Sequence, residues 1–209
     1  MRAKNTTALI ADLEKKVDDI MVEFSQFTDG TRVLLLLQRA KEGGHNKEHK
    51  RRRARAVTHT PDQFKRALLE LLLLQVTIAG EYRVYLSASP RDVRKAEMEF
   101  KQQMLSVDFA EGENKRFFYE HIDDKWISAL MSTNPVKDSG LFILDVDDPE
   151  VPHDLLGDVL TWCATNSVEI VKQYRTKNGW HVVTKPFNRS LYPFGFGGVR
   201  VDGLLLLSY

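Results

Sequence analysis

The sequence predicts an α+β protein, a mixed or antiparallel sheet flanked by helices. Three observations carry this expectation. Apolar residues recur at helical spacing from Leu9 to Phe24. Short β-type runs bounded by Gly, Pro, Asn or Asp return along the whole chain. Strands and helices then interleave without a strict βαβ rhythm, and Asn178-Gly179, a strong short-range hairpin signal, sits between two of the strands.

The elements follow in order. Leu9, Ile10, Leu13, Val17, Ile20, Met21 and Phe24 define one face of a first helix, which Asp29-Gly30 ends with a turn. Val33–Leu37 is an uninterrupted apolar run and fits a buried strand. Gly43-Gly44-His45-Asn46 and the basic run after it read as a loop leading into a second strand near Ala54–Thr58. Thr60-Pro61-Asp62 opens a helix, with Thr60 as N-cap, Pro61 at the first helical position and Asp62 favourable to the dipole. That helix runs to about Leu74, and Gly80 marks the break. Tyr82–Leu86 alternates as a strand does. Ser89-Pro90-Arg91-Asp92 starts a helix by the same cap chemistry, reaching about Leu105, and Lys115–Met131 is a further helix with Trp126, Ile127 and Leu130 inward. Leu141–Asp145 is a buried strand ending in carboxylates, and Pro152–Asn166 is a helix. Val168–Thr176 and Trp180–Pro186 form the hairpin, and a last strand runs from Val199 to Leu207.

Composition bounds the classes. A chain of 209 residues with 43% hydrophobic residues is long enough for one domain with its own core. We expect a single domain over 1–209, with a helical and strand part over about 1–135 and a second part over about 140–209. One cysteine, Cys163, excludes an internal disulfide framework and reads as a buried small hydrophobe. The N-terminus lacks the pattern of a signal peptide, and the longest apolar blocks are too short to span a bilayer, so the expectation is a cytoplasmic protein with no membrane partner. Formal net charge is only +1, but it is unevenly placed. Lys47, Lys50, Arg51, Arg52, Arg53 and Arg55 form a basic strip. Asp145, Asp147, Asp148, Glu150 and Asp154 form an acidic stretch. Such a distribution suits a protein that holds a polyanion and a metal together.

Three motifs carry candidate chemistry. In Leu144-Asp145-Val146-Asp147-Asp148, strand alternation projects Asp145 and Asp147 to one face. Two carboxylates there are costly without a cation between them, and hard ions such as Mg²⁺ or Mn²⁺ want oxygen ligands completed by substrate phosphates. The plainer reading is a polar loop after a strand. In the hairpin, a two-residue Asn178-Gly179 turn predicts Lys177 opposite Trp180 and Thr176 opposite His181. Lys172, Tyr174, Thr176, His181, Val183 and Lys185 then share a face suited to phosphate, with Lys172, Thr176, His181 and Lys185 as nucleotide contacts. An ordinary exposed hairpin with a surface histidine fits the same residues. The third motif, Arg200-Val201-Asp202-Gly203, offers Asp202 either as a further carboxylate or as the first half of an Asp-Gly turn.

Taken in order, an Asp-x-Asp strand end, a Gly-x-His on the second strand of a hairpin and a late acidic residue beside an apolar strand resemble the catalytic core of the archaeo-eukaryotic primase superfamily. The likeness covers roughly residues 140–209 and is that of a minimal or divergent phage- or plasmid-type primase-polymerase. It implies an RRM-like palm in the C-terminal half and catalytic roles for Asp145, Asp147, His181 and Asp202. Asp145, Asp147 and Asp202 would hold Mg²⁺ or Mn²⁺, and His181 would contact the phosphates of a nucleoside triphosphate. The implied activity is metal-dependent nucleotidyl transfer on DNA or RNA, alongside replication partner proteins. Where the family often has Ser and Arg ahead of Gly-x-His, this chain has Thr176-Lys177-Asn178. It carries no cysteine-rich zinc module.

Outside those motifs, Arg51, Arg52, Arg53 and Arg55 are candidates for salt-dependent contact with nucleic-acid phosphates, or else a solvated loop or a processing and targeting signal. Arg83 and Tyr85 share one strand face and are candidates for stacking on a base. Two other functions fit the same residues: a non-catalytic nucleic-acid-binding accessory protein, and a metal-dependent nuclease using the same carboxylates.

Overall fold

A computed structural model of the chain describes residues 2–38, 52–108, 113–132, 139–147, 154–194 and 198–209. The described residues form six α-helices and two antiparallel four-stranded sheets, so the α+β class holds, with two sheets in place of one.

The first sheet contains β1 (Arg32–Gln38), β2 (Arg52–Thr58), β3 (Tyr82–Ser87) and β8 (Leu204–Ser208), in the order β2-β1-β3-β8. The unbroken apolar run of β1 has a direct cause, because both faces of this sheet are covered. Leu34 and Leu36 pack with Val84, Leu86, Leu205 and Leu207 beneath α1 (Arg2–Glu23) and α2 (Pro61–Thr77). Val33 and Leu35 pack on the other side against Ala96 of α3 (Val93–Asp108) and Ile127 and Leu130 of α5 (Ile122–Ser132). A strand buried on both sides has no polar face, so it shows no alternation.

Local chemistry places most helix ends. The Thr60 side chain accepts from the Gln63 backbone N–H, with Pro61 at the start of α2. This helix continues to Thr77, three residues past the expected end. At α3 the cap is Asp92, whose carboxylate accepts from the Lys95 N–H; Ser89 instead accepts from the Leu141 N–H and joins the two halves of the chain. The expected single helix over Lys115–Met131 is two, α4 (Glu113–Glu120) and α5, because the His121 N–H bonds back three residues to Phe118 and the chain restarts from there.

The second sheet has the order β5-β6-β4-β7, from β4 (Phe142–Asp147), β5 (Ile170–Arg175), β6 (Gly179–Thr184) and β7 (Val199–Val201). One face carries Leu144, Val146 and Val182 against Leu155, Val159 and Cys163 of α6 (Leu155–Thr165). Cys163 is buried as expected, and burial pushes its thiol up, away from reactivity. The opposite face carries Ile143, Tyr174 and Val183, which belong to the same apolar cluster as the inner residues of the first sheet. The two sheets therefore share a core.

Two strand expectations need correction. The expected continuous strand from Val199 to Leu207 is two strands in different sheets. Asp202, at a φ of 53°, and Gly203 carry the chain across, so the Asp-Gly turn reading is the structural one. The hairpin register also differs. Tyr174 pairs with His181 and Arg175 with Trp180, while the Thr176 N–H bonds to the Gly179 carbonyl, so Lys177-Asn178 is the turn. The shift is two residues, which changes each partner but leaves every side chain on its expected face. No helix among the described residues is long and apolar enough to cross a membrane.

Candidate functional site

A cavity of about 330 Å³ opens where the inner face of β4–β6 meets the ends of β3 and β8. The pairing of β4 with β6 builds its floor. Asp145 lies opposite His181 and Asp147 opposite Gly179, so residues 36 and 32 positions apart in sequence become neighbours across one ladder. Asp145 is 9% exposed and His181 7%, whereas Asp147 stands at the solvent rim.

Asp145 is the electrostatic centre. Its Oδ1 lies 3.2 Å from Nε2 of His181, and its Oδ2 is bonded by the guanidinium of Arg200. A nearly buried carboxylate requires such compensation. His181 is itself fixed from behind. Its Nδ1 is 2.7 Å from the Tyr174 hydroxyl, and that same hydroxyl accepts the Leu206 N–H at 3.0 Å. The hydroxyl has one proton. The ionised Asp145 carboxylate can only accept, which puts a ring N–H on Nε2; in the neutral ring Nδ1 is then the acceptor of the hydroxyl proton, while Leu206 donates to the hydroxyl oxygen. Burial pushes the Tyr174 phenol up, so this proton stays in place well into the alkaline range.

Around this core the cavity gathers Arg83 and Tyr85 from the first sheet, Thr176, Lys177 and Asn178 from the hairpin turn, and Arg200 from β7. The structure thus brings Asp145, Asp147, Thr176, His181, Arg83 and Tyr85 together from motifs read separately along the chain. Others stand elsewhere. Lys172 lies on the same hairpin face but away from the cavity, with its amine 4.9 Å from the centre of the Phe24 ring and 3.6 Å from Glu23. Lys185 follows the end of β6, where its N–H bonds to the Glu169 carbonyl, and it does not line the cavity. Arg55 is paired with Asp124 of α5 and does not line the cavity. Arg52 and Arg53 begin β2, with side chains outside the described set; Arg51, the rest of the basic strip, Asp148 and Glu150 lie outside the described residues.

Asp202 does not line the cavity. Its carboxylate is bonded by Arg91, a side chain with no exposed surface. Burial pushes the Asp202 carboxyl up, and the charges of Arg91 and Arg32 pull against that shift. Asp202 is thereby a counter-ion for buried arginine at the crossover between sheets, and the cavity has two carboxylates in place of the expected three.

Arg200, Lys177 and Asn178 are the polar lining residues that sequence reasoning passed over. Arg200 sits opposite Ile143 in the ladder, two residues from Asp145 along β4. Only that register reveals it. Lys177 and Asn178 were hidden by the one-position misplacement of the turn.

Asp145 and Asp147 are the residues that would hold a divalent ion. Among the described residues no group of three His, Cys, Asp or Glu side chains gathers at metal-ligating reach. Two carboxylates beside a space large enough for phosphate oxygens nevertheless match how Mg²⁺ is commonly held, by one or two protein ligands with substrate and water supplying the rest. No protein-family model, curated protein or solved structure matches the chain.

Proposed function

We propose that the cavity binds a nucleoside triphosphate with Mg²⁺ or Mn²⁺, and that the protein is a metal-dependent nucleotidyltransferase of the primase-polymerase type. The observation that supports this most is the meeting of Asp145, Asp147 and His181 in one cavity, with Arg83 and Tyr85 across from them. Carboxylates, a histidine donor, an arginine and an aromatic ring are the groups that a triphosphate, its metal and its base require.

In this reading Asp145 and Asp147 hold the ion, which neutralises phosphate charge and aligns the α-phosphate with an incoming 3′-hydroxyl. His181, oriented by Tyr174, presents its Nε2–H toward the same space. That N–H faces Asp145 and lines the space in which a phosphate oxygen would lie. Arg83 supplies a further positive charge, and Tyr85 a ring face for the base. The role that the family resemblance gives to Asp202 passes to none of the described residues.

Primer extension tests the proposal. A labelled primer on a template, with nucleoside triphosphates and Mn²⁺ or Mg²⁺, should lengthen with the wild-type chain. Asp145→Asn and Asp147→Asn should each abolish extension while leaving the far-UV circular dichroism unchanged. Extension retained in both variants contradicts the proposal. A strand that shortens assigns a nuclease to the same carboxylates. Salt-sensitive binding that ignores EDTA assigns the non-catalytic accessory function, a reading favoured by the fact that Asp145 is already compensated by Arg200.

A further inference from the structure

Resting on the metal–nucleotide reading of this cavity, we propose that Arg200 is a latch on Asp145, a guanidinium that occupies the carboxylate until a divalent cation displaces it. Three features of the structure argue for this. First, Arg200 bonds Oδ2 of Asp145, while His181 takes Oδ1, so both oxygens of the proposed ligand are engaged by protein groups. Each oxygen keeps a further lone pair, but the positive guanidinium stands against the carboxylate where a second cation would have to approach, and the two cations repel.

Second, the two partners are unequally anchored. His181 is 7% exposed and tied through Tyr174 to the backbone of β8. The Arg200 side chain is 54% exposed and projects from β7, a three-residue strand at the edge of its sheet. The guanidinium regains full hydration on leaving, which the buried imidazole cannot do. Arg200 is therefore the group that yields.

Third, a guanidinium carries one positive charge, whereas Asp147 lines the same cavity and a divalent ion shared by the two carboxylates brings two. Half-exposed ion pairs hold weakly, so such an exchange needs only modest driving force. The latch keeps a nearly buried carboxylate compensated before metal binds, and it sets a threshold for metal entry.

The test is calorimetric titration of Mn²⁺ alone into the 209-residue chain at low ionic strength, for the wild type, Arg200→Ala, Asp145→Asn and the double variant. Arg200→Ala should bind Mn²⁺ about two- to fivefold more tightly than the wild type, the range set by the strength of such a pair. In the Asp145→Asn background the same substitution should give no gain, because the carboxylate it competes for is gone. Unchanged or weaker Mn²⁺ binding in Arg200→Ala overturns the latch, and so does an equal gain in both backgrounds. These results are distinct from failure of the underlying reading, in which neither the wild type nor Arg200→Ala binds Mn²⁺ at all.

Discussion

Tyr174 joins the two sheets through one oxygen. Its hydroxyl accepts from Leu206 in β8 and donates to His181 in β6. Tyr174→Phe would leave the Leu206 N–H and the His181 Nδ1 without partners, and each buried unmade bond costs about 1–3 kcal/mol. Urea denaturation should show a loss of that order, and an unchanged midpoint would mean that water replaces the hydroxyl without cost. The pH dependence has a definite sign. Burial raises the phenol above its ordinary value, so the folded state holds this proton more tightly than the unfolded chain does. The resulting stability is fully present below about pH 10 and declines as pH rises past the ordinary tyrosine value. Tyr174→Phe should lose the Tyr174 part of that alkaline slope. At this scale much was legible in the sequence. Alternation alone placed Tyr174, Thr176 and His181 on one face, and it did so although the turn was misplaced, since a two-residue slip preserves the face.

Among the elements, the segment between β7 and β8 governs how the sheets join. Asp202 adopts a left-handed conformation, its N–H bonds to Leu141, and Gly203 accepts from the Ala88 N–H. A side chain on Gly203 would bring its Cβ to 2.9 Å from Cδ1 of Ile143, so glycine suits the close approach of the two sheets there. Asp202 also compensates Arg91, whose Nε and Nη2 are buried without a hydrogen-bond partner among the described residues. Asp202→Ala would remove the sole carboxylate bonded to that buried guanidinium among the described residues, a change that costs about 3–5 kcal/mol when a buried pair is broken from one side. Thermal unfolding should report it, while Mn²⁺ affinity measured below the transition should stay at the wild-type value. Loss of Mn²⁺ binding with unchanged stability would restore Asp202 to the metal site. The caps and turns that define most elements are local, and Thr60-Pro61 and Asp29-Gly30 announce them. The break at Asp202-Gly203 is not local. An apolar run after an Asp-Gly pair looks the same whether the strand rejoins its own sheet or crosses to another, and only tertiary pairing decides.

At the scale of the whole molecule, the shared core fixes the site. Ile143, Tyr174 and Val183 of the second sheet pack into the cluster formed by Leu34, Leu36, Val84 and Leu86 of the first. The cavity sets Arg83 and Tyr85, which alternate with Val84 and Leu86 along β3, against Asp145, Asp147 and His181 of the second sheet, so its two walls come from halves of the chain that sequence reading treated separately. This explains why Arg83 and Tyr85, assigned to nucleic acid on strand alternation alone, stand across from Asp145 and Asp147. It also explains why Arg200 escaped notice, since its place depends on the order of strands in a sheet. The central claim is that this cavity is a metal-dependent nucleotide site, and one titration addresses it directly. A nucleoside triphosphate titrated calorimetrically with Mn²⁺ present should bind the wild-type chain, lose that binding on addition of EDTA, and fail to bind Asp145→Asn. Binding that survives both EDTA and Asp145→Asn, or no binding under any condition, would contradict the account.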